Sequence, residues 1–188
     1  MAARLRDLYG RLLQRHPVIV QSVQAGALMG VGDLLAQTAV ERKRPSEIDL
    51  PRVGRFFGIG LCLVGPGLRL WYGALDRYVG SRGARIVIRK VALDQGVFAP
   101  IFLGNFLVVL GAMQGRNWSQ IKLKMKEEYS DILFNNWKLW PAAQLVNFYF
   151  IPLHHQVLFV QTIAIFWNTY LAWKANSSTI SEEKEAAP

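Results

Sequence analysis

The chain has 188 residues, of which 52% are apolar and 19% charged, and its formal charge is +9. The length suits one compact unit, and the balance is more apolar and less charged than a soluble domain carries. The basic residues are spread over every polar segment rather than gathered on one face, which speaks against direct nucleic-acid binding and for loops at anionic lipid headgroups. The single cysteine, Cys62, excludes an internal disulfide.

Met1–His16 reads as an amphipathic helix, with Leu5, Leu8, Tyr9 and Leu12 on one face and Arg4, Arg11 and Arg15 on a neighbouring stripe. It fits an interfacial helix leading into the first span better than a cleaved presequence, because it lacks the serines of the latter. The first span is Pro17–Val40, with Asp33 as its one formal charge, closed by Glu41–Arg44. A polar connector, Pro45–Arg55, leads to the second span, Phe56–Tyr72, which ends on Gly65-Pro66-Gly67 and the interfacial pair Trp71–Tyr72. A basic loop, Asp76–Lys90, precedes the third span, Val91–Met113. Asn117–Leu133 sets Ile121, Met125 and Ile132 against Lys122, Lys124, Lys126 and Glu127, which predicts a surface helix.

From Leu139 to Trp173 the chain runs thirty-five residues without Asp, Glu, Lys or Arg. A bilayer core about 30 Å thick takes roughly 20 helical residues, so the run is too long for one straight crossing. Pro152 lies inside it and supplies a break. The expected fold is therefore all-α: a polytopic membrane bundle over residues 1–175, with four spans, the last broken at Pro152. Residues 176–188 are expected to be a disordered polar tail. With four spans, eleven basic residues fall on one side and ten on the other, so the positive-inside rule favours neither orientation.

Polar residues inside apolar spans are costly, and each one needs a partner or water. Ser22, Gly26, Gly30, Asp33 and Gln37 share one face of the first span. The first three form a ladder of small residues that admits a close neighbour, and Gly54 and Gly58 offer a matching pair. Asp33 is either an interhelical anchor or part of a water-filled path. In the third span, Asp94 and Asn105 are eleven residues apart and so share a face on a regular helix. In the fourth, Asn147, His154, Gln161 and Asn168 recur every seven residues, with Gln144 three before the first. Such a seam either lines a pore or joins helices. His154-His155 is no metal site, because adjacent residues diverge by about 100° around a helix. No phosphate loop, dinucleotide fingerprint, zinc helix or nucleophile elbow is present. No metal, cofactor or enzyme activity is expected.

Several of these segments carry a resemblance. Ala25–Asp33 with Gln37, Gly65-Pro66 with Trp71-Tyr72 and Leu75-Asp76, Leu93–Pro100, Trp137–Pro141 with Gln144 and Asn147-Phe148, and Trp167-Asn168 with Tyr170-Leu171 stand in co-linear order. Together they resemble the Mpv-seventeen and peroxisomal membrane protein family over about residues 8–174. The resemblance implies four spans in an organelle membrane, the mitochondrial inner membrane first and the peroxisomal membrane as the alternative. It also implies channel-like behaviour and support of mitochondrial DNA. The leading expectation is a pore for a small solute or ion, with Asp33, Gln37, Asp94, Asn105, Gln144, Asn147, His154, Gln161 and Asn168 as candidates for its polar interior. The rivals are a non-conducting membrane organiser or stress-adaptor, and a dedicated metabolite carrier. The expected partners are the bilayer, its anionic lipids and a second copy of the chain.

Overall fold

A computed structural model of the chain has helices joined by short connectors and no strand among its described residues. The described residues are 2–80, 83–150 and 153–185, with side chains described at 9–80, 83, 85–146, 150 and 159–176. Helix α1 (Ala2–Arg15) stops at His16, which is held at φ −134° ahead of Pro17. Pro17 opens α2 (Pro17–Leu35) at the first helical position, where an N–H would have no partner. A π-turn, Ala36–Val40, finishes that helix, and Arg42 at φ 57° turns the chain into the connector. The Asp49 carboxylate accepts the Arg52 backbone N–H at 2.8 Å and starts α3 (Leu50–Ile59), so this helix begins before the expected Phe56.

A π-turn over Gly60–Val64 joins α3 to α4 (Gly65–Tyr78), and another over Asp94–Phe98 joins α5 (Ala84–Leu93) to α6 (Ala99–Met113). Each is followed at once by a proline. The Gly65 N–H reaches back to the Gly60 carbonyl ahead of Pro66, and the Ala99 N–H to the Asp94 carbonyl ahead of Pro100. A proline ring displaces the carbonyl four residues back, and the widened turn accommodates it without ending the helix. Helix α7 (Trp118–Phe150) is capped by reciprocal bonds between Asn117 and Gln120, and α8 covers Leu153–Glu185.

Contacts fix the direction of each pass. Ser22 meets Gly65 and Asp33 meets Arg52, so α2 and α3–α4 are antiparallel. Trp71 bonds Asp94, while Gly67 faces Phe102, so α5–α6 turns back again. Gly111 faces Ile121, Tyr129 bonds the Pro100 carbonyl and Asn136 bonds Gln95, which reverses α7. Asn135 with Tyr170 and Asp131 with Lys174 reverse α8, leaving it parallel to α2. The described chain thus runs along the bundle five times. Helix α2 begins at one end, and the 41–49 connector marks the other, the connector end.

This corrects the expected fourth span. Leu139–Trp173 is not one kinked crossing; it is divided between antiparallel α7 and α8. Asn117–Leu133 is not a separate surface helix either. It is the first half of α7, and Ile121 and Ile132 are buried in the bundle rather than laid on a membrane surface. Pro152 itself lies outside the described residues. Helix α8 continues to Glu185, past Asn176 where the polar tail was expected to begin, and Ala175 and Asn176 are buried.

Glycine makes the tightest crossing. A Cβ on Gly65 would lie 2.3 Å from the Ser22 Cα, and one on Gly60 2.6 Å from the Gly26 Cα. The partners of the Ser22–Gly26 ladder are therefore Gly60 and Gly65. Gly30 lies against Phe57 at 3.6 Å. A Cβ on Gly54 would meet nothing within 4 Å among the described residues, and Gly58 meets only the Met113 side chain, at 3.8 Å. Phe56, Ile59, Phe106, Leu107, Leu110 and Ile132 form the centre of the core.

The outside is apolar. Three stretches are long and apolar enough to cross a membrane: Pro17–Val40, Leu50–Tyr78 and Arg85–Met113. A third or less of the most apolar window of each is buried within the bundle. Ile19, Leu70, Ile101 and Phe166 are each more than 60% exposed. A surface of this kind suits lipid, in which helices satisfy their own backbone groups.

Candidate functional site

The five passes line a partly open cavity of about 320 Å³. Helix α2 contributes Ala25 and Met29, α4 Leu68 and Tyr72, the π-turn Asp94 and Gln95, α7 Asn136 and Gln144, and α8 Gln161 and Asn168. Phe98, Phe102, Trp140 and Trp167 supply aromatic wall. The described wall carries one carboxylate, Asp94, and no Lys or Arg.

Asp94 is held from two sides. The Trp71 indole donates to Oδ1 at 3.0 Å and the Gln95 amide to Oδ2 at 2.9 Å. Gln95 in turn accepts from Asn136 at 3.0 Å, and its backbone carbonyl accepts from the Trp137 indole at 2.8 Å. This chain of bonds ties α4, the π-turn and α7 together along one wall. Trp71 also stacks on Phe98, with ring centroids 5.0 Å apart. Gln144, Gln161 and Asn168 differ: among the described residues no hydrogen bond engages their amides. All three residues line the cavity, where water or a solute can satisfy their amides.

Asp33 and Gln37 stand elsewhere, about one and two helical turns past Met29 toward the connector end. Both are 0% exposed, and neither lines the cavity. Arg52, also buried, places Nε 2.7 Å from Asp33 Oδ1 and gives a two-pronged pair to Glu41 at 2.7 and 2.9 Å. The Gln37 amide donates to Asp33 at 2.9 Å and to the Asp49 carbonyl at 3.1 Å, and its oxygen accepts the Asp49 N–H at 2.8 Å. Arg52 also reaches the Ala172 carbonyl on α8 at 3.4 Å. That carbonyl accepts from Asn176 at 2.8 Å, and the Asn176 oxygen accepts from Gln114 at 2.8 Å. A buried clasp thus joins α2, the connector, α3 and α8.

The candidate residues therefore divide. Asp94, Gln144, Gln161 and Asn168 come together on the cavity, and Asp33 and Gln37 in the clasp. Asn105 faces outward and bonds back to the Ile101 carbonyl at 2.8 Å. The side chains of Asn147 and His154 lie outside those described, and Asn147 belongs to α7 rather than to the helix bearing Gln161. Sequence reasoning missed Arg52 and Glu41 in the clasp and Gln95, Asn136 and Trp71 at the cavity wall. Gln95 and Trp71 stood within the motifs already quoted, and their neighbourhood to Asp94 was the available signal. Among the described residues no cluster of His, Cys, Asp or Glu could hold a metal.

Residues 111–172 match the Mpv17 / PMP22 family. The chain is 48% identical to the mitochondrial inner membrane protein Mpv17 of Xenopus laevis over 94% of this chain and 99% of that one. It is 43% identical to the human protein of the same name over 89% and 96% of the two chains. Protein sym-1 of Neurospora crassa is 40% identical over 88% and 95%. No solved structure matches the chain.

Proposed function

The chain belongs to the Mpv17/PMP22 family and shares the mitochondrial inner membrane location of its relatives; from that premise we propose that it is a channel or pore for a small solute or ion across that membrane, serving mitochondrial homeostasis and mitochondrial DNA maintenance. In this reading α2, α3–α4, α5–α6 and α8 cross the bilayer, and α7 makes the fifth traverse packed beside them. The apolar half of α7, Leu139–Phe150, spans only about 18 Å at 1.5 Å per residue, less than a bilayer core.

The observation that carries the reading is the 320 Å³ cavity, with Asp94 and unsatisfied amides inside a bundle whose outside is apolar. That volume stands at the small end of sites that hold small molecules. A dry bundle would have no reason to place the amides of Gln144, Gln161 and Asn168 around unfilled space.

The clasp favours a second reading, a non-conducting organiser whose polar residues only join helices. Recording from purified protein in planar bilayers separates the two. Discrete openings that change size in Asn168→Leu or Asp94→Asn support the pore. Silence from folded protein overturns it in favour of the organiser. Saturable exchange of one solute in liposomes, without openings, overturns it in favour of a carrier.

A further inference from the structure

From the position of the clasp we infer that Arg52 is the gate of the cavity at the connector end. The inference rests on the cavity reading above. Met29 lines the cavity, and Asp33 follows four residues later on α2. Asn168 lines it, and Ala172 follows four residues later on α8. Four helical residues rise about 6 Å, so on α2 the clasp lies one turn past Met29, while on α8 Leu171 still lines the cavity and Ala172 follows it directly. Phe106 lines the cavity and packs on Phe56 of α3, with ring centroids 5.9 Å apart. On the inferred route a solute leaves toward the connector between α2, α3 and α8. Arg52 is the side chain that bonds to all three, counting its own helix.

The bonding divides the clasp into fixed and releasable parts. Gln37 ties Asp33 to Asp49 by local bonds around the connector, which hold α2 to the start of α3 whether or not α8 moves. The link to α8 is of another kind. It consists of the long 3.4 Å bond from Arg52 to the Ala172 carbonyl and the Gln114–Asn176 bond beside it. Gly32 lets α8 lie so close to α2 that a Cβ there would stand 2.5 Å from the Asn168 Cβ. Leu171, Ala172 and Ala175 pack in the core beside this crossing, so α8 moves only if they slide over α2 together. The connector end opens when α8 leaves Arg52, while the Asp33–Arg52–Glu41 group stays on α2 and α3.

Thiol labelling tests this without needing conduction. Cys62 is replaced by Ser, and Ala164→Cys places a reporter on the cavity wall. Ser46→Cys, in the exposed connector, identifies the face. Mitoplasts and inverted inner-membrane vesicles then present opposite faces to a membrane-impermeant cationic methanethiosulfonate. Arg52→Gln is expected to raise Ala164→Cys labelling from the connector face at least about tenfold, the population change that 1.4 kcal/mol in the gate equilibrium produces. The rate from the opposite face stays within about twofold by the same scale. Glu41→Gln, which keeps the Asp33–Arg52 pair, serves if Arg52→Gln fails to fold, and is expected to move the connector-face rate in the same direction. An unchanged connector-face rate in a folded variant overturns the gate. So does a parent protein labelled equally from both faces. Labelling from neither face in any variant overturns the cavity reading with it.

Discussion

Gly65 shows how narrowly single residues are determined. An added Cβ would overlap the Ser22 backbone, which cannot swing aside as a flexible side chain does. Gly65→Ala is expected to destabilise by about 1–3 kcal/mol, seen as an earlier loss of helical circular dichroism on heating in detergent. Gly54→Ala, with open space around it, is expected to be neutral or to stabilise by up to about 1 kcal/mol, because alanine is the better helix former. If both variants melt alike, the assigned crossing is wrong. The clasp sets a second contrast. Asp33→Leu leaves Arg52 Nε facing a methyl group in a buried site, and a broken buried pair costs about 3–5 kcal/mol. Lys43→Ala removes only a partly exposed ion pair at 3.4 Å and is expected to change stability by less than about 1 kcal/mol. The same melts report both.

At the scale of elements, the bond between the Trp71 indole and Asp94 joins α4 to the π-turn before α6. Trp71→Phe keeps an aromatic ring for Phe98 to stack on and removes only the donor. A loss of about 1–3 kcal/mol in the thermal melt is expected, and an unchanged melt would show that Asp94 is held from the Gln95 side alone. The π-turns also explain which parts of the site were legible in sequence. Asp33 and Gln37, four apart, were readable as one face, and they bond to each other. Asp94 and Asn105, eleven apart, were expected to share a face, but the wide turn over Asp94–Phe98 rotates everything after it. Asn105 therefore points outward while Asp94 lines the cavity. Gln161 and Asn168, with no such turn between them, keep their seven-residue phase and both reach the cavity. Arg52 was not legible as the partner of Asp33, because the pairing depends on how the connector folds back and not on a helical period.

For the molecule as a whole, the membrane reading rested on the pattern of apolar spans and the charge-free run rather than on composition, and three helices long and apolar enough to cross a membrane agree with it. The order of passes was not readable. Thirty-five residues without a charge look the same whether the chain kinks within the membrane or reverses, and only contacts such as Asn135 with Tyr170 distinguish the two. Five passes put the start of α2 and the finish of α8 at opposite ends. Single cysteines at Ser46 and Glu185 are therefore expected to react with an impermeant thiol reagent from one membrane face, and one at Arg11 from the other. Reaction of Arg11→Cys and Glu185→Cys from the same face would restore an even number of crossings.

The account depends most on the cavity being a path rather than a flaw in packing. Unitary current in planar bilayers measures that directly when the space is filled from within. Ala164→Trp projects bulk into the cavity wall, whereas Ala27→Trp adds the same bulk to the exposed face of α2. The account predicts that Ala164→Trp reduces or abolishes the current while Ala27→Trp leaves it as in the parent. Equal currents from all three proteins would contradict it.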